Sequence, residues 1–271
     1  MALIASFTAL PLATAASDFV RLTDRDDLFG WEAVGRVDMQ GRGFCTGVLI
    51  ATDLVLTAAH CLYDDSGRLI PAEAIRFRAG LRDGVAIAER QAARVVAAKG
   101  YDPRTGTTNE NVRNDVGLIE LKAPILSTVA APFVIHATAR AGDRVSVVSY
   151  GQGRDAALSW QRDCGLLWEH QDIFGFDCSI TFGTSGAPVF YRDGRRARII
   201  SLVSGGRVEN GRFTTAWGMA LPALVDQLKR DLRALPATAA SGARFESVGE
   251  LRGGTAGVSR GGAKFSTVGG S

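Results

Sequence analysis

Two successive sets of short β-type runs, each run bounded by turn residues, set the plan of this chain. Residues 32–37, 43–50, 54–56, 75–78, 94–96 and 116–121 make the first set. Residues 144–150, 159–161, 165–168, 176–178, 188–190, 199–203 and 213–217 make the second, and residues 122–143 carry the crossover between them. Many short strands spaced by turn signals predict an all-β barrel or sandwich. A chain of 271 residues has room for one double-barrel body of roughly 200–250 residues with extensions. With 46% apolar and 22% charged residues it has the material for a packed core. Helical spacing appears in Leu221, Leu224, Val225, Leu228, Leu232 and Leu235, so residues 221–235 form an amphipathic helix that Pro236 ends.

Three separated segments hold groups that are weak apart and reactive together. They are Thr57-Ala58-Ala59-His60-Cys61, Asn114-Asp115-Val116-Gly117-Leu118 and Thr181-Phe182-Gly183-Thr184-Ser185-Gly186-Ala187-Pro188. A serine hydroxyl is a poor nucleophile at neutral pH and needs an imidazole to take its proton. The imidazole in turn needs an acid that holds one tautomer. The order here, His60, Asp115, Ser185, is that of chymotrypsin-type enzymes and differs from that of subtilisins and α/β-hydrolases. In their flanks, residues 54–62, 115–121 and 183–186 resemble the histidine, aspartate and serine segments of the trypsin/chymotrypsin superfamily. Ala187, where the commonest serine motif has a glycine, is similar to bacterial secreted members, among them the glutamyl endopeptidase-like group.

The resemblance covers about residues 30–235 and implies two six-stranded antiparallel β-barrels of chymotrypsin type with a C-terminal helix. His60 and Asp115 would come from the first barrel and Ser185 from the second. The reaction it implies is hydrolysis of peptide bonds through an acyl-enzyme, with no cofactor. Backbone N–H groups of Gly183 and Ser185 would form the oxyanion hole, since a glycine lets the loop bend so that both face one spot. Ser179 would floor the specificity pocket and Ser204 and Gly205 would wall it. A serine floor has no fixed charge for Arg or Lys. The histidine used by glutamate-preferring pockets has no counterpart on the wall strand, because the remaining histidines are His136 and His170. Thr184 stands where trypsin-like zymogens have an aspartate that pairs with a new N-terminal amine, so that switch is not expected.

Four cysteines allow three pairings. The resemblance implies a bridge between Cys45 and Cys61 that steadies the His60 loop. A second bridge, between Cys164 and Cys178, would stiffen the approach to Ser185, with buried free thiols as the alternative. No Cys-x-x-Cys or His-x-x-x-His spacing points to a metal.

Residues 1–15 form an apolar stretch closing on Ala13-Thr14-Ala15 and read as an export signal without the usual basic start. Residues 16–29 are an N-terminal segment and candidate propeptide, 30–125 the first barrel, 126–235 the crossover, second barrel and helix. Residues 236–271, rich in Gly, Ala, Ser and Thr, are expected to be a flexible tail. A net charge of only +3 spread along the chain, with the basic run at residues 194–198 read as a solvated hairpin tip, gives no nucleic-acid partner as the expectation. The expectation is a secreted or periplasmic monomer with no membrane span, acting on protein or peptide. Competing classes are a non-catalytic binding protein on the same scaffold and an esterase using the same three residues.

Overall fold

The computed structural model describes residues 19–193, 196–209 and 212–236. The expected export signal and nearly all of the expected tail therefore lie outside the described residues.

A short strand, β1 (Val20–Arg21), precedes the first barrel. The barrel consists of β2 (Val34–Met39), β3 (Gly43–Ala51), β4 (Leu54–Thr57), β5 (Ile75–Ala79), β6 (Ala88–Ala97) and β7 (Gly117–Leu121). These strands close in the order β2-β3-β4-β7-β6-β5, every pairing antiparallel. Alternation does the sorting: Val37, Leu49, Val55, Phe77 and Ile119 face inward and are fully buried, and Arg76, Arg78 and Glu89 pair on the outside. Between β6 and β7 the chain forms a short helix, α1 (Asn109–Asn114), which the strand pattern does not predict. The Thr108 side chain caps it by accepting the Asn111 N–H.

The second set becomes β8 (Arg144–Ser149), β9 (Ser159–His170), β10 (Ile173–Phe176), β11 (Pro188–Asp193), β12 (Arg196–Leu202), β13 (Gly205–Glu209) and β14 (Arg212–Met219). They run in the order β12-β11-β8-β9-β10-β14-β13, and β1 joins at β9 to make eight strands. Where six strands in a closed ring were expected, the pairing path here stays open. Its two ends, β12 and β13, are successive in the chain and linked by Val203 and Ser204. The runs predicted at 159–161 and 165–168 are one strand, with Asp163 at positive φ where the register to β8 shifts.

The final helix, α2 (Pro222–Ala234), sits one residue inside each predicted end. Proline occupies its first turn, where no intrahelical N–H is needed. Val225 and Leu228 are buried in a core shared with Leu118, Tyr150 and Phe190, which joins the two sheets, and Leu232 is buried one turn further on. Arg94 of β6 donates Nη1–H to the carbonyls of Leu232 and Leu235 and so satisfies the open helix end.

Residues 19–29, within the candidate propeptide, are built into this fold. Leu22 and Leu28 are buried, and the Leu22 N–H donates to Leu158 O at 2.9 Å.

Candidate active site

His60 leaves β4 in a tight turn, Ala59–Leu62, whose other residues are buried. A disulfide between Cys61 and Cys45 ties that turn to β3. Asp115, 2% exposed, follows α1 and meets the turn twice. Its Oδ1 accepts the His60 backbone N–H at 2.9 Å and its Oδ2 lies 2.7 Å from His60 Nδ1. The Ser204 hydroxyl donates to the same Oδ2 at 2.6 Å. A carboxylate only accepts, so Nδ1 carries the proton and Nε2 is left with its lone pair. Burial lowers the affinity of His60 for a second proton; the charge of Asp115 and the hydrogen bond to it outweigh that and raise the pKa above 6.5.

Ser185 lies on the turn between β10 and β11 and lines two adjoining clefts together with His60. Its hydroxyl makes no hydrogen bond among the described residues. Nucleophile–base contacts of this kind often tighten only as substrate binds.

The turn around Ser185 is held from the first barrel by Thr46 of β3, which the sequence reading missed. The Thr46 N–H donates to Ser185 O at 2.9 Å, its hydroxyl donates to Gly183 O at 2.9 Å and accepts the Tyr150 N–H at 3.1 Å. Gly186 donates to Val203 O at 2.8 Å. Gly183 has φ +90°, and a Cβ there would stand 2.3 Å from the Phe44 ring. No other residue type fits that backbone without strain. Among the described residues, neither the Gly183 N–H nor the Ser185 N–H has a protein acceptor, whereas Thr184 N–H between them donates to Thr181 O.

The cleft beside Ser185 on the β13 side encloses about 420 Å³. Tyr101, Val112, Ile180, Val203, Gly205, Gly206 and Trp217 line it along with His60 and Ser185. Trp217 lies across Gly205, where a Cβ would come within 3.1 Å of the indole nitrogen. Ser204 and Gly205 do reach this cleft, but the Ser204 hydroxyl is committed to Asp115. Ser179 does not line it: the residue is exposed, its N–H held by Gln161 Oε1 at 2.9 Å, and Ile180 is the neighbour that turns inward. Neither His136, bonded to Thr138, nor exposed His170 lines it.

Cys164 and Cys178 are bonded to each other, so no described cysteine is free. Cys45, His60 and Cys61 bring one ligand-type atom each within 4.8 Å, but the two sulfurs are spent on the disulfide and offer no thiolate. No helix among the described residues is long and apolar enough to cross a membrane.

Residues 28–220 match the family model described as Trypsin. The chain belongs to the trypsin family. Among curated relatives, this trypsin-family chain is 28% identical to a glutamyl endopeptidase of Bacillus licheniformis over 155 residues, 57% of this chain and 47% of that one. It is 42% identical to a modular serine protease of Drosophila melanogaster over 77 residues, 28% of this chain and 10% of that one. It is also 28% identical to serine protease 23 of Rattus norvegicus over 188 residues, 59% of this chain and 48% of that one. The chain thus spans about half or less of the length of these relatives. A solved structure of a Glu endopeptidase in complex with MPD superposes with a TM-score of 0.66 at 18% identity, covering 82% of this chain and 99% of that one. The thermostable serine protease AL20 of an extremophilic microorganism does so with 0.61 at 19% identity, covering 76% and 98%. Both share the fold.

Proposed function

We propose that this protein is a serine endopeptidase that cleaves peptide bonds through an acyl-enzyme, with His60, Asp115 and Ser185 as its catalytic triad. The observation that carries the reading is the His60 Nδ1–Asp115 Oδ2 pair at 2.7 Å in a cleft that Ser185 also lines. In this reading Ser185 Oγ attacks the carbonyl carbon and gives its proton to His60 Nε2. Asp115 stabilises the imidazolium without taking a proton, and His60 then protonates the departing amine. Water repeats the sequence on the ester and frees the acid. The N–H groups of Gly183 and Ser185 receive the negative oxygen, and having no other acceptor they need not exchange partners as charge develops.

Among the described residues, apart from His60 and Asp115, no titratable side chain other than the Tyr101 phenol lines the cleft on the β13 side. The substrate class this favours is a polypeptide with an uncharged residue on the acyl side of the cleaved bond. The two disulfides favour an exported enzyme. The test is to incubate the purified chain and its Ser185→Ala variant with a denatured protein and read new peptide ends by mass spectrometry. New ends with the parent chain alone are expected. Equal cleavage by both would overturn the proposal.

A further inference from the structure

Arg154, in the turn after β8, carries its guanidinium to the underside of the Ser185 turn. Nη1 donates to Ser149 O at 2.8 Å, and Nη2 to Ser149 Oγ and Thr184 Oγ1, each at 3.0 Å. Among the described residues no carboxylate pairs with it, and its buried Nε has no hydrogen-bond partner. Desolvation pulls its pKa down to about 10. An arginine placed in this way costs stability, because nothing of opposite charge compensates the water it has lost.

What it touches is the residue between the two N–H groups proposed to hold the oxyanion. Thr184 is fully buried, and its Oγ1 also accepts the Thr181 N–H at 3.1 Å. Its backbone closes the turn on both sides, donating to Thr181 O at 3.0 Å and accepting from Ala187 N–H at 2.9 Å. The guanidinium therefore anchors the side chain whose backbone sets the orientation of Gly183 and Ser185. The chain makes room for it: a Cβ on Gly151 would lie 2.8 Å from Arg154 Cζ.

The other face of the guanidinium is closed by the N-terminal segment. The Phe19 ring lies over Arg154 with 3.9 Å from Cζ to the ring centre. Phe19 is held there by β1, paired Val20 to Trp160 and Arg21 to Ser159, and by buried Leu22. An aromatic face is a fitting cover for a cation that lacks an anion.

We propose that Arg154, capped by Phe19, is a positioning residue that holds Thr184 and thereby presets the oxyanion-binding turn, making the N-terminal strand part of the working enzyme. This rests on the serine endopeptidase reading for its catalytic consequence, though not for the contact itself. Processing after Arg21 or Arg25 would then lower activity, because it removes the cap. The buried guanidinium has one readable effect on local order and another on turnover.

The experiment uses the full chain and three variants, Arg154→Met, Arg154→Lys and Phe19→Ala. Each is followed by hydrogen exchange of the peptide covering residues 181–187 and by kcat and KM on a peptide ester. Arg154→Met is expected to speed exchange at Thr184 and Ala187 at least tenfold and to lower kcat about tenfold or more, KM staying within about threefold, since a displaced oxyanion donor acts on the transition state. Arg154→Lys keeps a donor for Thr184 and is expected to recover part of both. Phe19→Ala removes no hydrogen bond, so it decides the matter if Arg154→Met does not fold; a smaller change in the same direction is expected. Native exchange with kcat within twofold in the variants that fold overturns the proposal. If the parent chain itself turns over no ester, the protease reading fails separately, and exchange alone decides whether Arg154 sets the turn.

Discussion

Thr46 grips the Ser185 turn twice, with its N–H on the Ser185 carbonyl and its hydroxyl on the Gly183 carbonyl, both at 2.9 Å. Thr46 belongs to the first barrel and Ser185 to the turn between two strands of the second sheet, so this pair fixes the serine relative to His60, which the Cys45–Cys61 disulfide ties to the same strand as Thr46. Thr46→Val keeps the shape and loses the hydroxyl. It leaves the Gly183 carbonyl and the buried Tyr150 N–H short of a partner, at a cost of about 1–3 kcal/mol. A lower urea midpoint together with a fall in kcat is expected; a midpoint equal to that of the parent chain contradicts the account.

Activity and the stability contribution of His60 should respond to pH in opposite directions. The base must be neutral to accept the Ser185 proton, and its raised pKa puts the acidic limb of kcat/KM above pH 6.5. For stability, a group whose folded pKa is raised contributes fully below its unfolded value and loses that contribution as pH rises through the folded value. Asp115→Asn removes the charge that raises the pKa. It should move the limb to lower pH and cut kcat by about 10⁴. A pH profile of that variant with the parent limb would count against the pairing.

Gly183→Ala meets two obstacles at once, the positive φ and the Phe44 ring. A loss of about a hundredfold in kcat is expected if the N–H is turned away from the oxyanion. Adding Phe44→Ala relieves the collision but not the backbone strain, so the double variant should recover only part of the rate. Full recovery would mean that the ring alone matters.

A peptide library should show preference for uncharged residues on the acyl side, with Arg, Lys and Glu each disfavoured by about tenfold or more. The lining of Ile180, Val203, Gly205, Gly206 and Trp217 offers no opposite charge to replace lost hydration. Strong selection for any one of the three charged residues would contradict this description of the cleft.

The three-residue chemistry was legible because His60, Asp115 and Ser185 each sit in a local pattern that a sequence displays. Residues whose role arises from contacts across the fold were not. Thr46 is an ordinary strand threonine until Gly183 comes beside it, and Arg154 an ordinary loop arginine until Phe19 and Thr184 enclose it. α1 escaped because Asn109–Asn114 is short and mostly polar, though Thr108 three residues before Asn111 was an available capping signal. β13 escaped because Gly205-Gly206 has weak strand preference and is paired by its neighbour β14. Ser179 as the pocket floor is what the family resemblance implies, whereas in this fold Ile180 lines the cleft and Ser179 is exposed.

The central claim is that Ser185 is an activated nucleophile. The most direct measurement is to treat the folded, oxidised protein with a fluorophosphonate and locate the adduct by mass spectrometry, with Ser185→Ala as control. The account predicts one adduct, on Ser185, and none on the folded variant. No adduct on the parent protein, or an equal adduct on the variant, would contradict it.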